Sequence, residues 1–281
     1  MESLVVKNLT KKYEKFILDD ISFSIPKGYI MGFIGENGAG KTTAIKAILN
    51  VINKDSGSVS ILGKDMKTNE LDIKRNIGYV SGESFYYKKR IREITNVYKR
   101  FYPKWDEKKY QDYLTLFNLD ESKKVEELSK GMRMKYSITL ALSHNAELLI
   151  LDEPTSGLDP VARDNLLEVF QSIVEDGEVS VLFSTHITSD LEKCADYITF
   201  IKDGKLIESC SKDDLIDKYK LVNGTKEQLA TIKDKLISFK ENAFGFIGLM
   251  HSNQSLNDKE IKLGQPSLDD IMIYFAQKEV K

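Results

Sequence analysis

The sequence predicts an α/β fold built on a mostly parallel sheet. Short apolar runs alternate with longer amphipathic segments along most of the 281 residues, which favours this class over all-α or all-β architectures. Several runs are apolar almost throughout, as expected for central strands that are buried on both faces. A glycine-rich loop between one such strand and a helix is the third observation.

Two runs that alternate between apolar and polar residues come first. LVVKNLT and ISFSI have the pattern of strands with one buried face. Pro26 and Gly28 separate the second run from YIMGFIG, which is nearly all apolar and is predicted as a central strand. The segment that follows, KTTAIKAILNVI, is predicted as a helix.

Two more buried strands are predicted in the second half of the chain, LLILD and VSVLFS. The segment between them, PVARDNLLEVFQSIVED, has the pattern of a helix. Asp159 is suited to cap this helix and Pro160 to occupy its first turn. The order of strands and helices therefore favours a parallel sheet.

The alternation changes at two places, which suggests three parts. Strand patterns are missing from the region that follows Lys88, and we predict a helical subdomain at about residues 88–145, inserted between strands. The regular pattern weakens after residue 209. Residues 210–281 are predicted to form a small α+β accessory or regulatory unit, with helices near 226–236 and 267–277.

The composition argues against several classes of protein. The net charge is −2, and no run of basic residues is present, so a nucleic-acid partner is not expected. Cys194 and Cys210 match neither a metal-binding nor a disulfide pattern, which indicates reduced thiols. No apolar run approaches the roughly 20 residues of a membrane span, so any membrane role requires a partner.

GENGAGKTT (35–43) fits the phosphate-loop pattern G-x-x-x-x-G-K-[ST], with a predicted strand before it and a helix after it. Successive backbone N–H groups would surround a phosphate at the helix N-terminus. Lys41 would reach the β- and γ-phosphates of ATP, and Thr42 would ligate Mg²⁺. A glycine-rich turn with a chance lysine is the alternative, and the flanking elements disfavour it. The residues expected at the nucleotide are Gly35, Asn37, Gly38, Ala39, Gly40, Lys41, Thr42 and Thr43.

Two carboxylates follow the LLILD strand. Asp152 ends it, where it would hold Mg²⁺, and Glu153 comes next, where it would take a proton from an attacking water. Alone, such a pair is usually a solvated loop. Together with the phosphate loop, it indicates the metal-and-base half of a nucleotide site.

The motifs in this order resemble the ATP-binding cassette (ABC) ATPases across about residues 1–209. LSKGM (128–132) is similar to the family's LSGGQ signature, and SGLDP (156–160) to its D-loop. His186 in FSTHI matches the switch histidine, and Tyr13 occupies the position whose aromatic ring stacks on adenine. His186 in a structural role, and Tyr13 packed on a strand edge, are the alternatives.

The resemblance implies a fold and a mechanism. The fold is the ABC nucleotide-binding domain, with a parallel core, an antiparallel β subdomain and a helical insert. Two such domains sandwich two Mg-ATP head to tail, with Ser129 and Gly131 at the γ-phosphate of the other subunit's ATP. Because this chain carries one set of motifs, it would dimerise, either with itself or with a different subunit. Lys130 and Met132 depart from the usual Gly and Gln of the signature.

LSKGMRMK, FYPKWD and PSLDDIMIYF resemble the ATPase subunits of small bacterial exporters with a separate permease. The resemblance implies export of an antibiotic, peptide or lipid by a cytoplasmic chain held at the inner face of the membrane. Aromatic residues around the helical insert either receive the permease or fill the insert's core; they are Phe85, Tyr86, Tyr87, Tyr98, Phe101, Tyr102 and Trp105.

GYVSGESFYY raises a separate question, because the family has a glutamine in the loop after this strand. Gly82 takes its position here, and Glu83 follows. We predict that Glu83 is a metal ligand; the alternative is a loop that senses nucleotide through its backbone.

Three other functions compete with transport. A translation factor of the superfamily would carry two cassettes, and a DNA-repair ATPase would interrupt the cassette with a long coiled coil, but this chain has neither. A non-transport regulatory or binding module is the third, because residues 210–281 contain no motif that we recognise.

Overall fold

The run predicted as a central strand is completely buried. It forms β3, Ile30–Ile34, in a computed structural model that describes residues 1–81, 88–256, 258 and 260–277. The chain divides into two compact units, Met1–Ser209 and Cys210–Lys281. Cys194 and Cys210 are not joined in a disulfide.

Ten strands of the described chain form one sheet in the order β5-β4-β1-β2-β10-β9-β3-β8-β7-β6. Strands β9, β3, β8, β7 and β6 are parallel, while β1 pairs antiparallel with β2 and β4. The predicted α/β class is therefore confirmed, with a parallel core and an antiparallel extension. Their bounds are β1 Glu2–Lys12, β2 Ile17–Pro26, β4 Ser56–Ile61, β5 Lys64–Asp65, β6 Ile77–Ser81, β7 Leu148–Asp152, β8 Ser180–Thr185, β9 Tyr197–Lys202 and β10 Lys205–Ser211.

The helices of this unit flank the sheet or follow β6. The predicted helix after the phosphate loop is α1, Lys41–Ile48, and α6 begins at Pro160 as predicted, with the Asp159 carboxylate accepting from the amides of Val161 and Ala162. The described part of the segment between β6 and β7 contains three helices and two short 3₁₀ turns. The remaining bounds are α2 Glu70–Arg75, α3 Ile91–Tyr98, α4 Glu107–Leu116, α5 Lys130–Ser143, α6 Pro160–Val174 and α7 Thr188–Cys194, with the turns at Lys99–Phe101 and Val125–Glu127.

The second unit is an antiparallel sheet with helices. Its order is β12-β13-β11-β14, and Val222, Phe246 and Met250 from the sheet pack with Leu229 and Ile232 from a helix. The α+β prediction and both predicted helices are confirmed. The bounds are α8 Lys212–Asp217, β11 Tyr219–Gly224, α9 Lys226–Ile232, a 3₁₀ turn Lys233–Lys235, β12 Leu236–Asn242, β13 Gly245–His251, β14 Lys262–Gly264 and α10 Leu268–Gln277.

Parallel register brings the ends of several strands to one edge of the first unit. Asp152 pairs with Ser184 across β7 and β8, and Ile34 pairs with Thr185 across β3 and β8. The loops that carry the predicted site residues leave from this edge, which is where ligands bind in open parallel sheets. Within the described ranges, every helix is too short or too polar to cross a membrane.

Candidate nucleotide site

The phosphate loop ends where α1 begins. Gly40 is the N-cap of α1, with φ of 105°, and its carbonyl accepts from the amide of Ala44 at 2.8 Å. A Cβ at this position would lie 2.6 Å from the ring of Phe16, so both the backbone conformation and the space require glycine here. The free N–H groups at the start of α1 are thereby held beside the loop, where they can bind an anion.

Lys41 places its ammonium inside the loop. The side chain is only 6% exposed, and Nζ donates to the carbonyl oxygens of Gly35 at 2.8 Å and Glu36 at 3.3 Å. Nζ also lies 3.1 Å from Glu153 Oε1. The lysine is therefore fixed at the end of the cleft where phosphates would bind, with a carboxylate beside it.

Glu153 lies between this lysine and His186. Its second carboxylate oxygen, Oε2, is 2.9 Å from Nδ1 of His186. Its φ is 52°, in the left-handed region, and its amide bonds both the carbonyl and the hydroxyl oxygen of Ser184 at 3.1 Å. A strained backbone whose amide is held by Ser184 aims this carboxylate into the cleft.

Asp152 is buried at the end of β7. Its Oδ1 accepts a hydrogen bond from the Ser184 hydroxyl at 2.6 Å, across the pair of strands. Ser184 therefore orients both neighbouring carboxylate residues, one through its hydroxyl group as donor and the other through its oxygens as acceptors.

The loop that follows Glu153 is anchored to the helix that follows His186. The hydroxyl of Thr155 donates to Asp190 Oδ2 at 2.7 Å, and both side chains are buried. Burial raises the pKa of the Asp190 carboxyl. Arg163 Nε lies 3.9 Å from Asp190 Oδ1, at the margin of an ion pair. The loop and α7 therefore form one connected wall.

These elements enclose a cleft of about 400 Å³, a size typical of sites for small molecules. Its lining combines residues of the phosphate loop and the Lys41 ammonium with the Glu153 carboxylate and the His186 imidazole. Such a cleft can hold a polyphosphate next to a candidate general base. Its lining residues are Phe16, Glu36, Asn37, Gly38, Gly40, Lys41, Thr42, Thr43, Glu153, Ser156 and His186.

Most of the predicted site residues therefore meet in one place. Six of those that the structure describes do not line the cleft: Tyr13, Gly35, Ala39, Ser129, Gly131 and Asp152. Tyr13 is 48% exposed, and the ammonium of Lys11 lies over the Tyr13 ring, 5.4 Å from the ring centroid. Ser129 caps α5, its hydroxyl accepting from the amide of Met132 at 3.2 Å. Gly131 lies within α5, which begins at Lys130.

Gly35 and Ala39 support the phosphate loop from behind. Gly35 contributes its carbonyl to Lys41, and Ala39 is 5% exposed in the core. Gly82 and Glu83 lie outside the described residues, as do Phe85, Tyr86 and Tyr87.

Phe16 is a lining residue that the sequence reasoning missed. It lies three residues after Tyr13, beyond a turn that is closed by a hydrogen bond from the Tyr13 amide to the Phe16 carbonyl at 2.8 Å. Its aromatic character beside the predicted adenine-binding position could have identified it. Ser156 and Glu36 also line the cleft and were not predicted. Both lie close in sequence to residues that were predicted.

The oxygens of Thr42 and Asp152 suit Mg²⁺, which prefers hard oxygen ligands. Among the residues that the structure describes, no group of three or more His, Cys, Asp or Glu side chains is placed to hold a metal ion. A donor set of one hydroxyl and one carboxylate matches a magnesium ion that takes most of its ligands from substrate phosphates and water.

Comparison with known proteins agrees with this geometry. The family described as "ABC transporter" matches residues 18–156. The bacitracin transport ATP-binding protein BcrA of Bacillus licheniformis is 35% identical over 219 residues, which cover 76% of this chain and 72% of that protein. The uncharacterized ABC transporter ATP-binding protein YhaQ of Bacillus subtilis is 31% identical, over 96% of this chain and 97% of that protein.

A solved structure of the ATP-binding subunit of an ABC transporter has the same fold. It superposes with a TM-score of 0.68 at 29% identity, covering 75% of this chain and 91% of that chain. The expected ABC nucleotide-binding fold is thereby confirmed. The chain belongs to the ABC transporter family, as one of its ATP-binding proteins.

Proposed function

We propose that this ABC ATPase closes head to tail with a second nucleotide-binding chain over two Mg-ATP and so drives a separate membrane permease. The observation that carries the proposal is the position of Glu153. Its carboxylate lies between the ammonium of Lys41 and the imidazole of His186, at the edge of the sheet where the phosphate loop also ends.

The residues of the cleft have distinct roles in hydrolysis. The amides of residues 38–43 and the Lys41 ammonium bind the phosphates of ATP. The phosphates replace the Glu153 carboxylate as the partner of Lys41. Glu153 then accepts the proton of the attacking water, while His186 holds the carboxylate and the γ-phosphate in place. Thr42 and Asp152, with Glu83 as a further predicted ligand, would hold Mg²⁺, which neutralises phosphate charge when bound.

A second chain completes the site. The cleft is lined mainly by residues from the phosphate loop, the start of α1 and the loops that follow β7 and β8, whereas Ser129 and Gly131 are at the start of α5 and outside that lining. Their N–H and hydroxyl groups would meet the γ-phosphate of ATP in the other chain. The second chain is either an identical copy or a related subunit, and Tyr13 stacks on the adenine.

The membrane partner is inferred from relatives. BcrA is named for bacitracin transport, and the chain covers 72% of it. We infer export of an antibiotic, peptide or lipid, with this chain peripheral at the inner face of the cell membrane. Residues 88–145 would receive the permease; Phe101 is 68% exposed there, whereas Tyr98, Tyr102 and Trp105 pack against one another.

Glu153→Gln tests the proposal. The amide keeps the shape of the side chain but cannot take a proton, so we expect ATP hydrolysis to fall at least about a hundredfold while ATP still binds. With ATP present, the variant should accumulate as a closed dimer in size-exclusion chromatography.

Glu178→Gln is the matched control, because Glu178 is exposed and pairs with Lys27 away from the cleft. It should hydrolyse ATP like the wild type. Near-normal hydrolysis by Glu153→Gln would exclude Glu153 as the base.

A further inference from the structure

Lys130 connects the start of α5 to the loop after β7. Its Nζ donates a hydrogen bond to the backbone carbonyl of Ser156. The same nitrogen lies 3.1 Å from the position that a Cβ on Gly157 would occupy, and Cδ lies 3.9 Å from it. The head and stem of the lysine therefore both lie on this loop, and the lysine is half-buried.

The two ends of this contact belong to different parts of the proposed machinery. Ser156 lines the cleft together with Glu153 and His186. At the other end, Lys130 stands between Ser129 and Gly131, the residues proposed to meet the second chain's ATP. One side chain thus joins the wall of one ATP cleft to the donors for the other.

The loop is attached on its buried side as well. Thr155 bonds Asp190 at 2.7 Å, and the amide of Leu158 bonds the carbonyl of Thr155 at 3.2 Å. Lys130 adds a charged donor on the more exposed side, where Gly157 offers no side chain. A charge-assisted hydrogen bond that is partly shielded from water is stronger than a neutral one and also fixes geometry.

We propose that Lys130 is a positioning residue that couples the two ATP sites of the dimer. When α5 moves to meet the second chain's nucleotide, Lys130 pulls on the carbonyl of Ser156 and so adjusts the wall that carries Glu153. This inference rests on the proposed function, because it needs two ATP sites that share two chains.

Three variants test it. Lys130→Met keeps the aliphatic stem and removes the charge and the hydrogen-bond donors. Lys130→Arg keeps the charge and the donors. Lys135→Met makes the same change further along α5, where the ammonium lies over the Phe117 ring, 5.7 Å from its centroid, and not at the loop. Each variant is measured for the affinity of a fluorescent ATP analogue, for ATPase activity against ATP concentration, and for amide hydrogen exchange without nucleotide.

Lys130→Met should lower kcat about tenfold, as expected for one partly buried charged hydrogen bond, and shift the ATP dependence toward independent sites. The affinity of one chain for the analogue should stay within about twofold, because Lys41 bonds Gly35, Glu36 and Glu153, whereas Lys130 bonds Ser156. Amides of residues 156–158 should exchange faster. Lys130→Arg and Lys135→Met should behave like the wild type in all three measurements.

The inference is overturned if Lys130→Met keeps the wild-type kcat and cooperativity, loses analogue affinity as strongly as kcat, or is matched by Lys135→Met. The exchange measurement separates this inference from the proposed function. A wild-type chain that fails to hydrolyse ATP would refute the proposed function, while faster exchange in Lys130→Met alone would still establish the contact.

Discussion

Glu153 concentrates backbone strain at the residue proposed to do the chemistry. A non-glycine residue with φ of 52° is disfavoured by roughly 1–2 kcal/mol. Hydrogen bonds from its amide to Ser184, and the anchoring of Thr155 by Asp190, hold the chain in this conformation. The strain is therefore maintained by neighbours on β8 and α7 and not by the residue's own preference.

His186→Ala should slow hydrolysis while ATP binding is retained. The imidazole lies 2.9 Å from the Glu153 carboxylate but takes no part in the contacts of Lys41 with the phosphate loop. We expect kcat to fall about a hundredfold or more, and the dissociation constant of an ATP analogue to change by less than about threefold. Steady-state assays and equilibrium binding measure the two quantities.

His251→Ala, at an exposed position on β13, provides the control for losing a histidine. If His186→Ala instead abolishes ATP binding, His186 has a role in folding.

For single residues, the sequence predicts which side chains take part in the chemistry better than it predicts which side chains contact one another. Lys41, Asp152 and Glu153 belong to motifs whose spacing from a strand end determines where they lie. Phe16 follows a turn that is closed by the bond between Tyr13 and Phe16, so the sequence offers an aromatic residue there but does not show that its side chain faces the cleft. The bond between Lys130 and Ser156 joins residues 26 positions apart, and no local pattern indicates it.

Among the elements, α5 carries an unusual side chain at each end. Lys130 begins it, and His144 is its C-cap. The His144 ring is completely buried and stacks on Tyr102, with centroids 3.9 Å apart and planes inclined by 15°. Within the described part of the chain, neither ring nitrogen has a hydrogen-bond partner. Such a site disfavours the charged imidazolium, and burial lowers the pKa of His144 to about 4.

The pKa of His144 predicts an acid-sensitive fold. Its folded-state pKa lies below the ordinary value of 6.5, so the unfolded chain takes up the proton first as the pH falls. The contribution of His144 to the free energy of unfolding is complete above about pH 6.5. It is lost as the pH falls toward 4, by up to about 3 kcal/mol. Trp105, the single tryptophan, lies 6.3 Å from the Tyr98 ring and can report unfolding in urea at each pH.

His144→Phe should flatten this pH dependence, because phenylalanine can stack on Tyr102 and does not titrate. His251→Phe should leave it in place. An unchanged pH dependence in His144→Phe would mean that other groups cause the acid sensitivity.

Elements with a single strong pattern were predictable from the sequence, and those held by side-chain networks were not. Strands β3, β7 and β8 are buried along their whole length and were predicted from their apolar runs. The helical segment after β6 is held by the Thr95 hydroxyl, which bonds Tyr110 at 3.0 Å and Tyr136 at 2.9 Å. Polar groups so far apart in sequence give no periodic pattern, so the contacts that join these helices could not be predicted.

For the whole molecule, ATPase activity should depend on protein concentration. If the γ-phosphate in one chain needs Ser129 and Gly131 of another, single chains bind ATP without turning it over. We expect specific activity to rise with protein concentration and reach a plateau once dimers form. The affinity of a fluorescent ATP analogue, measured by anisotropy over the range in which chains are single, should stay constant.

Analytical ultracentrifugation over the same range identifies the species present. Constant specific activity where single chains dominate would show that one chain is sufficient. That outcome would contradict the head-to-tail arrangement while leaving the cleft itself intact.

In the ion pair between Lys41 and Glu153, the carboxylate competes with the phosphates of ATP for the lysine ammonium. The Glu153 carboxylate neutralises the same ammonium that the phosphates require. The measured free energy of ATP binding is therefore the difference between the attraction of Lys41 for the phosphates and its attraction for the Glu153 carboxylate. Glu153→Gln removes the internal anion, so the variant should bind ATP more tightly even where no hydrolysis occurs. The same carboxylate sets both how tightly the chain holds ATP and how fast it consumes it.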